Sequence, residues 1–241
     1  MNSYQKLHLP RLKMFQNEGI LLIDKPPSKT SFFVVAALRE KTTLQKIGHT
    51  GTLDPFATGL LVMLLGKSWT KKAGLFLDHD KEYEATLYLG KATDTYDCDG
   101  KIIQESHFKP ALQEINTALL SFQGIYAQVP PMFSAKKIDG KRLYKLARKG
   151  IEIERKPVEV KIETTLLNYS YPYLSLRIKG SKGTYIRSIA QDLGERLGCF
   201  AHLSALKRTR SGPFCIQDSI SLEQCLSLPI EQLQNRLLRN V

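Results

Sequence analysis

The sequence is poor in the patterns that build metal sites and disulfide frameworks. Its four cysteines, Cys98, Cys199, Cys215 and Cys225, include no pair at CxxC spacing. That argues against a zinc site or a disulfide-stapled fold and suits a reducing cytoplasm. The five histidines, at 8, 49, 79, 107 and 202, form no HxH or HExxH pattern, so no metal is expected. Phosphate-loop signatures are missing as well: GxxxxGK[ST] is absent, and GHTGTLDPFATG does not match GxGxxG. The acidic stretch TDTYDCD (93–99) lacks the glycine at its sixth position and the closing glutamate of an EF-hand, which leaves Asp94 a loop residue or one that contacts the pocket rim. The longest apolar run, Leu60–Leu65, is far too short to span a bilayer. Residues 1–18 are polar and basic with no apolar core segment, so no signal peptide is expected. There is no repeat and no low-complexity tract.

What is present is an ordinary globular composition with a basic surplus. The chain has 241 residues, 42% of them hydrophobic, enough for one large domain with a substantial core. Lys plus Arg number 35 against 23 for Asp plus Glu, a net charge of +12. Such a balance favours an anionic partner, nucleic acid ahead of a membrane surface, although a generally basic proteome would give the same number.

Periodicity divides the chain into mixed elements. GILLIDK (19–25) and the LLVMLLG run read as buried strands, with a helix over Phe32–Lys41 capped by Ser31 between them. KEYEATLYLG (81–90) alternates, with Tyr83, Ala85, Leu87 and Leu89 on one face, as a half-buried strand does. Leu112, Ile115, Leu119 and Phe122 recur at helical spacing over 110–122. QVPPMFSAKKIDGKRLYKLARKG interleaves basic and aromatic residues and ends in a short helix stopped at Gly150. VEVKIETTLLNYS and YLSLRIKG read as paired strands. A glycine-rich loop, GSKGTYIR, opens a helix carrying Ile186, Ile189, Ala190, Leu193 and Leu197 on one face, and HLSALKRTRSGPF follows as a strand. SLEQ (221–224) fits a capping box for a terminal helix. Without strict βαβ alternation, the expected class is α+β, with a mixed, largely antiparallel central sheet flanked by helices and loops.

The chemistry concentrates in GHTGTLDPFATGLL (48–61). Glycines at 48, 51 and 59 permit backbone conformations closed to other residues, and Pro55 restricts Asp54 to extended or turn geometry. Such a loop can aim one carboxylate into a cleft. From the loop alone an Asx-turn or cap explains Asp54 at least as well. A carboxylate of ordinary acidity, ionised at neutral pH, can also serve as a covalent nucleophile towards an electrophilic carbon.

This stretch resembles the catalytic motif of the TruB family of tRNA pseudouridine synthases. GILLIDKPPSKTS, KEYEATLYLGKATDTYDCDG, QVPPMFSAKKIDGKRLYKLARKG, GTYIRSIAQDLGERLG and HLSALKRTRSGPF resemble further family segments in the same order, so that the likeness runs from about Gly19 to Phe214. The resemblance implies the pseudouridine synthase fold and the isomerisation of a T-loop uridine in tRNA without cofactor or metal. It implies that Asp54 is the catalytic aspartate, Tyr83 the tyrosine stacked on the target base, and Arg187 the arginine paired with the carboxylate. Tyr185 would be an active-site tyrosine, His49 the residue filling the space of the flipped nucleotide, and Leu206 an apolar wall. Lys136, Lys137 and Arg142, with Lys207–Arg210, would meet the RNA backbone. Each has a plainer alternative: Tyr83 and Leu206 as core, His49 and the lysines as solvated surface, Arg187 as an exposed helix-start residue.

The resulting organisation is a loose leader over 1–18, a catalytic domain over 19–214 with an RNA-contacting insertion at about 124–156, and a short helical tail over 215–241. That tail is too short for the small RNA-binding PUA domain that bacterial members usually carry. The expected partner is the T arm of tRNA, bound by a monomer away from any membrane. The rival readings are the same chemistry on another RNA hairpin, or an RNA-folding chaperone.

Overall fold

The unbroken apolar runs become strands covered on both faces. The structure, a computed structural model, describes residues 17–134, 136–138 and 140–239, so the expected leader lies almost wholly outside the described residues. Strand β1 (Gly19–Lys25) turns into helix α1 (Ser31–Thr42), and β2 (Ile47–His49) leads through the GHTGTLDPFATG loop to β3 (Thr58–Leu65). β1 and β3 pair antiparallel, from Gly19 opposite Leu65 to Lys25 opposite Gly59. Leu21, Ile23, Leu61, Met63 and Leu65 face the main core, whereas Ile20, Leu22, Leu60, Val62 and Leu64 pack with Trp69, Phe76 and Phe214 on the other side. Burial on both faces is why these strands show no alternation.

Two short helices, α2 (Lys67–Lys71) and α3 (Ala73–Leu77), supply Trp69 and Phe76 to that second layer. Strand β4 (Lys81–Leu89) follows, then a hairpin of β5 (Lys91–Thr93) and β6 (Ile102–Glu105), helix α4 (Leu112–Leu120) and β7 (Gly124–Gln128). A small excursion holds β8 (Lys137–Ile138), β9 (Lys141–Arg142) and α5 (Leu143–Ala147). The long hairpin β10 (Val158–Ser170) and β11 (Tyr173–Gly180), helix α6 (Ile186–Arg196) and β12 (Ala201–Ser211) come next. β13 (Phe214–Cys215), β14 (Ile220–Ser221), α7 (Leu222–Ser227) and α8 (Ile230–Asn235) complete the chain.

The central sheet runs β14–β1–β3–β12–β4–β11–β10–β7, with β2 beside β3 and β13 beside β12. Among the described strands only β1–β14 and β3–β12 are parallel pairs, so the mixed, largely antiparallel α+β class expected from sequence is the one observed. The β3–β12 pair positions the site. It registers Gly59 opposite Arg208, and β12 in turn sets Arg208 opposite Tyr83 of β4. Gly59 has φ +97°, and a Cβ there would lie 2.4 Å from the Arg208 carbonyl oxygen, so only glycine lets the two backbones approach.

Three sequence expectations change, and a fourth, the acidic loop, holds and gains its place. Thr30, not Ser31, caps α1 by accepting a hydrogen bond from the Phe33 amide; both hydroxyls suit a cap, but Ser31 is drawn inward to another use. The acidic loop is the bend of the β5–β6 hairpin. The stretch from residue 124 begins inside the sheet, because β7 pairs with β10. The tail is not one helix. Pro229 divides it into α7 and α8, the first closed by the expected capping box between Ser221 and Gln224. Leu222, Cys225, Leu233 and Leu237 are buried in the main core, so the tail is packed structure and not an appendage.

Candidate active site

The Asp54 loop is fastened from below before it presents its carboxylate. The Ser31 hydroxyl donates to the Leu53 carbonyl (3.1 Å) and accepts from the Leu53 amide (2.9 Å), binding α1 to the residue before Asp54. The Ala57 amide donates to the Asp54 carbonyl at 3.1 Å, tightening the turn over Pro55. The Lys25 ammonium, with no exposed surface, donates to the carbonyls of Pro26 (2.8 Å), Lys29 (2.6 Å) and Pro55 (3.2 Å). One cation thus ties the β1–α1 turn to the loop that carries Asp54.

Arg187 reaches this loop from the second residue of α6. Its Nε lies 3.0 Å from Asp54 Oδ2, and its Nη2 donates to Asp54 Oδ1 at 3.3 Å, a two-pronged grip. Nη1 sits 3.4 Å from Asp97 Oδ2 and donates to the Thr95 carbonyl at 3.2 Å, while Nη2 also donates to the Phe133 carbonyl at 2.8 Å. The arginine side chain is 6% exposed, Asp97 7% and Asp54 34%. One guanidinium therefore joins two carboxylates, one walled in and one open. Burial pushes the Asp97 carboxyl up, against the pull of the Thr95 hydroxyl and of Arg187.

The GTYIR segment is held by Gln128, which donates to the Gly183 carbonyl (2.5 Å) and accepts from the Tyr185 amide (2.9 Å). Tyr185 is half-buried near both partners: burial pushes its phenol up, Arg187 pulls it down, and Asp54 adds to the rise. Tyr83 is half-buried at the end of the apolar row Ala85, Leu87 and Leu89, packed against the main core. Leu206 is buried in that core, and its carbonyl accepts from the Thr58 hydroxyl at 3.4 Å. His49 is half-buried, and its Nδ1 accepts from the Gly51 amide at 3.3 Å. Burial, then Arg208, lower its pKa.

Asp54, Arg187 and Tyr185 are thus in one cluster, with Tyr83 one strand away across β12. Lys136, Lys137 and Arg142 stand apart, on or beside the β8–β9 hairpin, where Lys137 pairs with Arg142. Met132 is buried, unlike the surface aromatic-basic mix expected there. Arg208 departs further from the basic RNA-facing strand: it points inward, 2% exposed, donating to the carbonyls of Leu60 (2.7 Å) and Gly51 (3.1 Å). Among the described residues no group of three or more His, Cys, Asp or Glu is arranged to hold a metal ion, and no helix is long and apolar enough to cross a membrane.

Comparison with known proteins gives this cluster its context. The family model described as the TruB family pseudouridylate synthase N-terminal domain matches residues 39–186, and that of the tRNA pseudouridylate synthase B C-terminal domain matches residues 187–241. The chain belongs to the TruB family. It is 55% identical over 223 residues to the tRNA pseudouridine synthase B of Protochlamydia amoebophila, covering 92% of this chain and 84% of that protein. To the synthase of the same name from Opitutus terrae it is 46% identical, covering 92% of each. A chain in the crystal structure of a Cbf5–Nop10–Gar1 complex superposes with a TM-score of 0.72 at 28% identity, covering 91% of this chain but only 59% of that one. As a TruB-family pseudouridine synthase the protein is an isomerase. The two family segments meet between Ile186 and Arg187, so the Asp54–Arg187 pair draws one partner from each.

Sequence reasoning missed the cations beneath the loop and the second carboxylate of this TruB-family site. Lys25, Arg208 and Lys81 are all buried, and carbonyl oxygens satisfy all three. Burial lowers Lys25 to about 8 despite the nearby Asp54. Asp97 was one of three similar acids in TDTYDCD. Only the hairpin fold, with Tyr96 at φ +66°, singles it out, and Asp94 instead accepts from the Lys101 amide at 2.8 Å to close the bend.

Proposed function

We propose that this protein converts a uridine in the T arm of tRNA, at the conventional position 55, to pseudouridine, with Asp54 as the catalytic carboxylate. The observation that carries the reading is the two-pronged Arg187–Asp54 contact inside the GHTGTLDPFATG loop. A carboxylate gripped on one side by a buried guanidinium and open on the other is held in place and remains reachable. The relatives' shared name and their extent along this chain support tRNA as the substrate.

The reaction breaks the bond from ribose to N1 of uracil, rotates the detached base and joins it through C5, which gives up its proton while N1 takes one up. No electrons are exchanged. A uridine in a folded loop must first leave its stack. Asp54 then engages the extruded nucleoside, Arg187 fixes and balances the carboxylate, and Tyr83 supplies a ring on which the base can stack. Tyr185 and Leu206 close the pocket. His49, in the same loop, would fill the space vacated by the flipped nucleotide.

Asp54→Asn keeps the shape and removes the charge. The expected result is no tritium release from C5-labelled uridine in a T-arm hairpin, with hairpin binding retained. Near-normal release by the variant overturns the role of Asp54. Base-resolution mapping of treated tRNA tests the position, and modification elsewhere overturns that part.

A further inference from the structure

We infer that the β1–α1 turn carries a second RNA contact, a stacking platform made by Phe32 and Phe33 with Lys29, which takes an unpaired nucleotide next to the target uridine. The inference rests on the RNA-isomerase reading above. Phe32 is 67% exposed and Phe33 42%. Two adjacent phenylalanines on a surface expose apolar area that α1 does not need, because Ser31, Val34, Val35 and Leu38 form its buried face. The Lys29 ammonium stands 4.6 Å from the Phe33 ring centroid. The stretch PPSKTSFF (26–33) contains no acid.

The platform is coupled to the active loop. Lys25 holds the Pro26 and Lys29 carbonyls on one side and the Pro55 carbonyl on the other, and Ser31 holds both backbone groups of Leu53. The aromatic pair therefore stands at a fixed distance from Asp54. On this inference an RNA that offers a uridine to Asp54 runs beside this turn, tied as it is to the Asp54 loop, and a loop that has lost one base to the pocket has neighbours in need of a stacking partner. An open ring with a lysine at its face suits a base and its phosphate together. The polar surround of exposed Ser28, Lys29 and Thr30 does not form the broad apolar groove that a protein helix would need.

The test uses the full chain and a T-arm hairpin. Phe32→Ala with Phe33→Ala is expected to weaken hairpin binding roughly tenfold or more, the loss of about one stacked base, with the thermal midpoint showing that the variant is folded. Lys29→Ala is expected to make the salt dependence of binding shallower by about 0.7–0.9. Phe32→Trp places an exposed indole on the platform, whose fluorescence the hairpin should quench. Binding by the double variant equal to wild type, or no quenching, overturns the platform. A change in self-association in place of RNA binding overturns it too, marking a contact between copies. Wild-type turnover on the same hairpin tests the isomerase reading separately.

Discussion

Replacing Arg187 by lysine keeps the charge and discards the geometry. The guanidinium makes five contacts from three nitrogens: two to Asp54, one to Asp97, and one each to the Thr95 and Phe133 carbonyls. A lysine ammonium is a single nitrogen with three donors, so at least two contacts are lost. The carboxylates differ in what they lose. Asp54 is 34% exposed and regains water; Asp97 is 7% exposed and does not. Removing one partner of a buried ion pair costs about 3–5 kcal/mol. With the charge retained and one carboxylate rehydrated, a loss of about 1–3 kcal/mol is expected for Arg187→Lys. The catalytic loss should be larger, because a misplacement of about 1 Å at a reacting group costs about a hundredfold in rate. Urea unfolding and single-turnover tritium release measure the two effects. A double cycle with Asp97→Asn tests the shared guanidinium: if Asp97→Asn costs as much stability in the lysine background as in wild type, the two residues are uncoupled and the network argument fails.

Three further outcomes follow from the same geometry. Tyr83→Phe keeps the ring and should keep RNA binding, so a large rate loss in it assigns the hydroxyl to proton transfer, whereas normal turnover by Tyr83→Leu places Tyr83 outside the site. Gly59→Ala forces a Cβ to within 2.4 Å of the Arg208 carbonyl oxygen at φ +97°; a cost of about 2–4 kcal/mol is expected in chemical denaturation, and an unchanged midpoint refutes the close approach of β3 and β12. For Lys25 the sign follows from its folded value of about 8, below the ordinary 10.5. The unfolded chain holds that proton more tightly, so wild-type stability relative to Lys25→Met rises with pH between about 8 and 10.5, by at most about 3 kcal/mol; a relative stability that falls across that window contradicts the burial of the ammonium.

The parts of the fold visible in the sequence were those with one dominant cause. LLVMLL announces a strand buried on both sides, KEYEATLYLG a strand buried on one, and Ile186, Ile189, Ala190, Leu193 and Leu197 a helix with one apolar face. Where two residues compete for a role, pattern alone does not choose: Thr30 and Ser31 both suit a cap, and only the approach of Leu53 turns Ser31 inward. Charge misleads for the same reason. Arg208 sits in a run that reads as a basic strand, yet its alternation with exposed Lys207 sends it into the interior. The Asp54–Arg187 pairing came from family likeness. No local pattern joins residues 133 positions apart.

The unequal exposure of the two carboxylates on Arg187 bears on their division of labour. Asp97 accepts from the Thr95 hydroxyl (2.6 Å) and the Asp99 amide (3.1 Å) as well as facing the guanidinium, so its oxygens are occupied and its position is determined by its own hairpin. Asp54 has the guanidinium alone among its side-chain hydrogen bonds and ion pairs in the described residues. A group that must change partners during a reaction needs a free direction, and a group that must stay still needs none. Asp97 and the Phe133 carbonyl hold Arg187 from behind, Arg187 holds Asp54, and Asp54 keeps its other side open. Phe133 also lies shortly before the β8–β9 hairpin that carries Lys137 and Arg142. Its carbonyl and that of Thr95 hold the guanidinium at 2.8 and 3.2 Å, so the position of Arg187 is determined by two segments far apart in the chain.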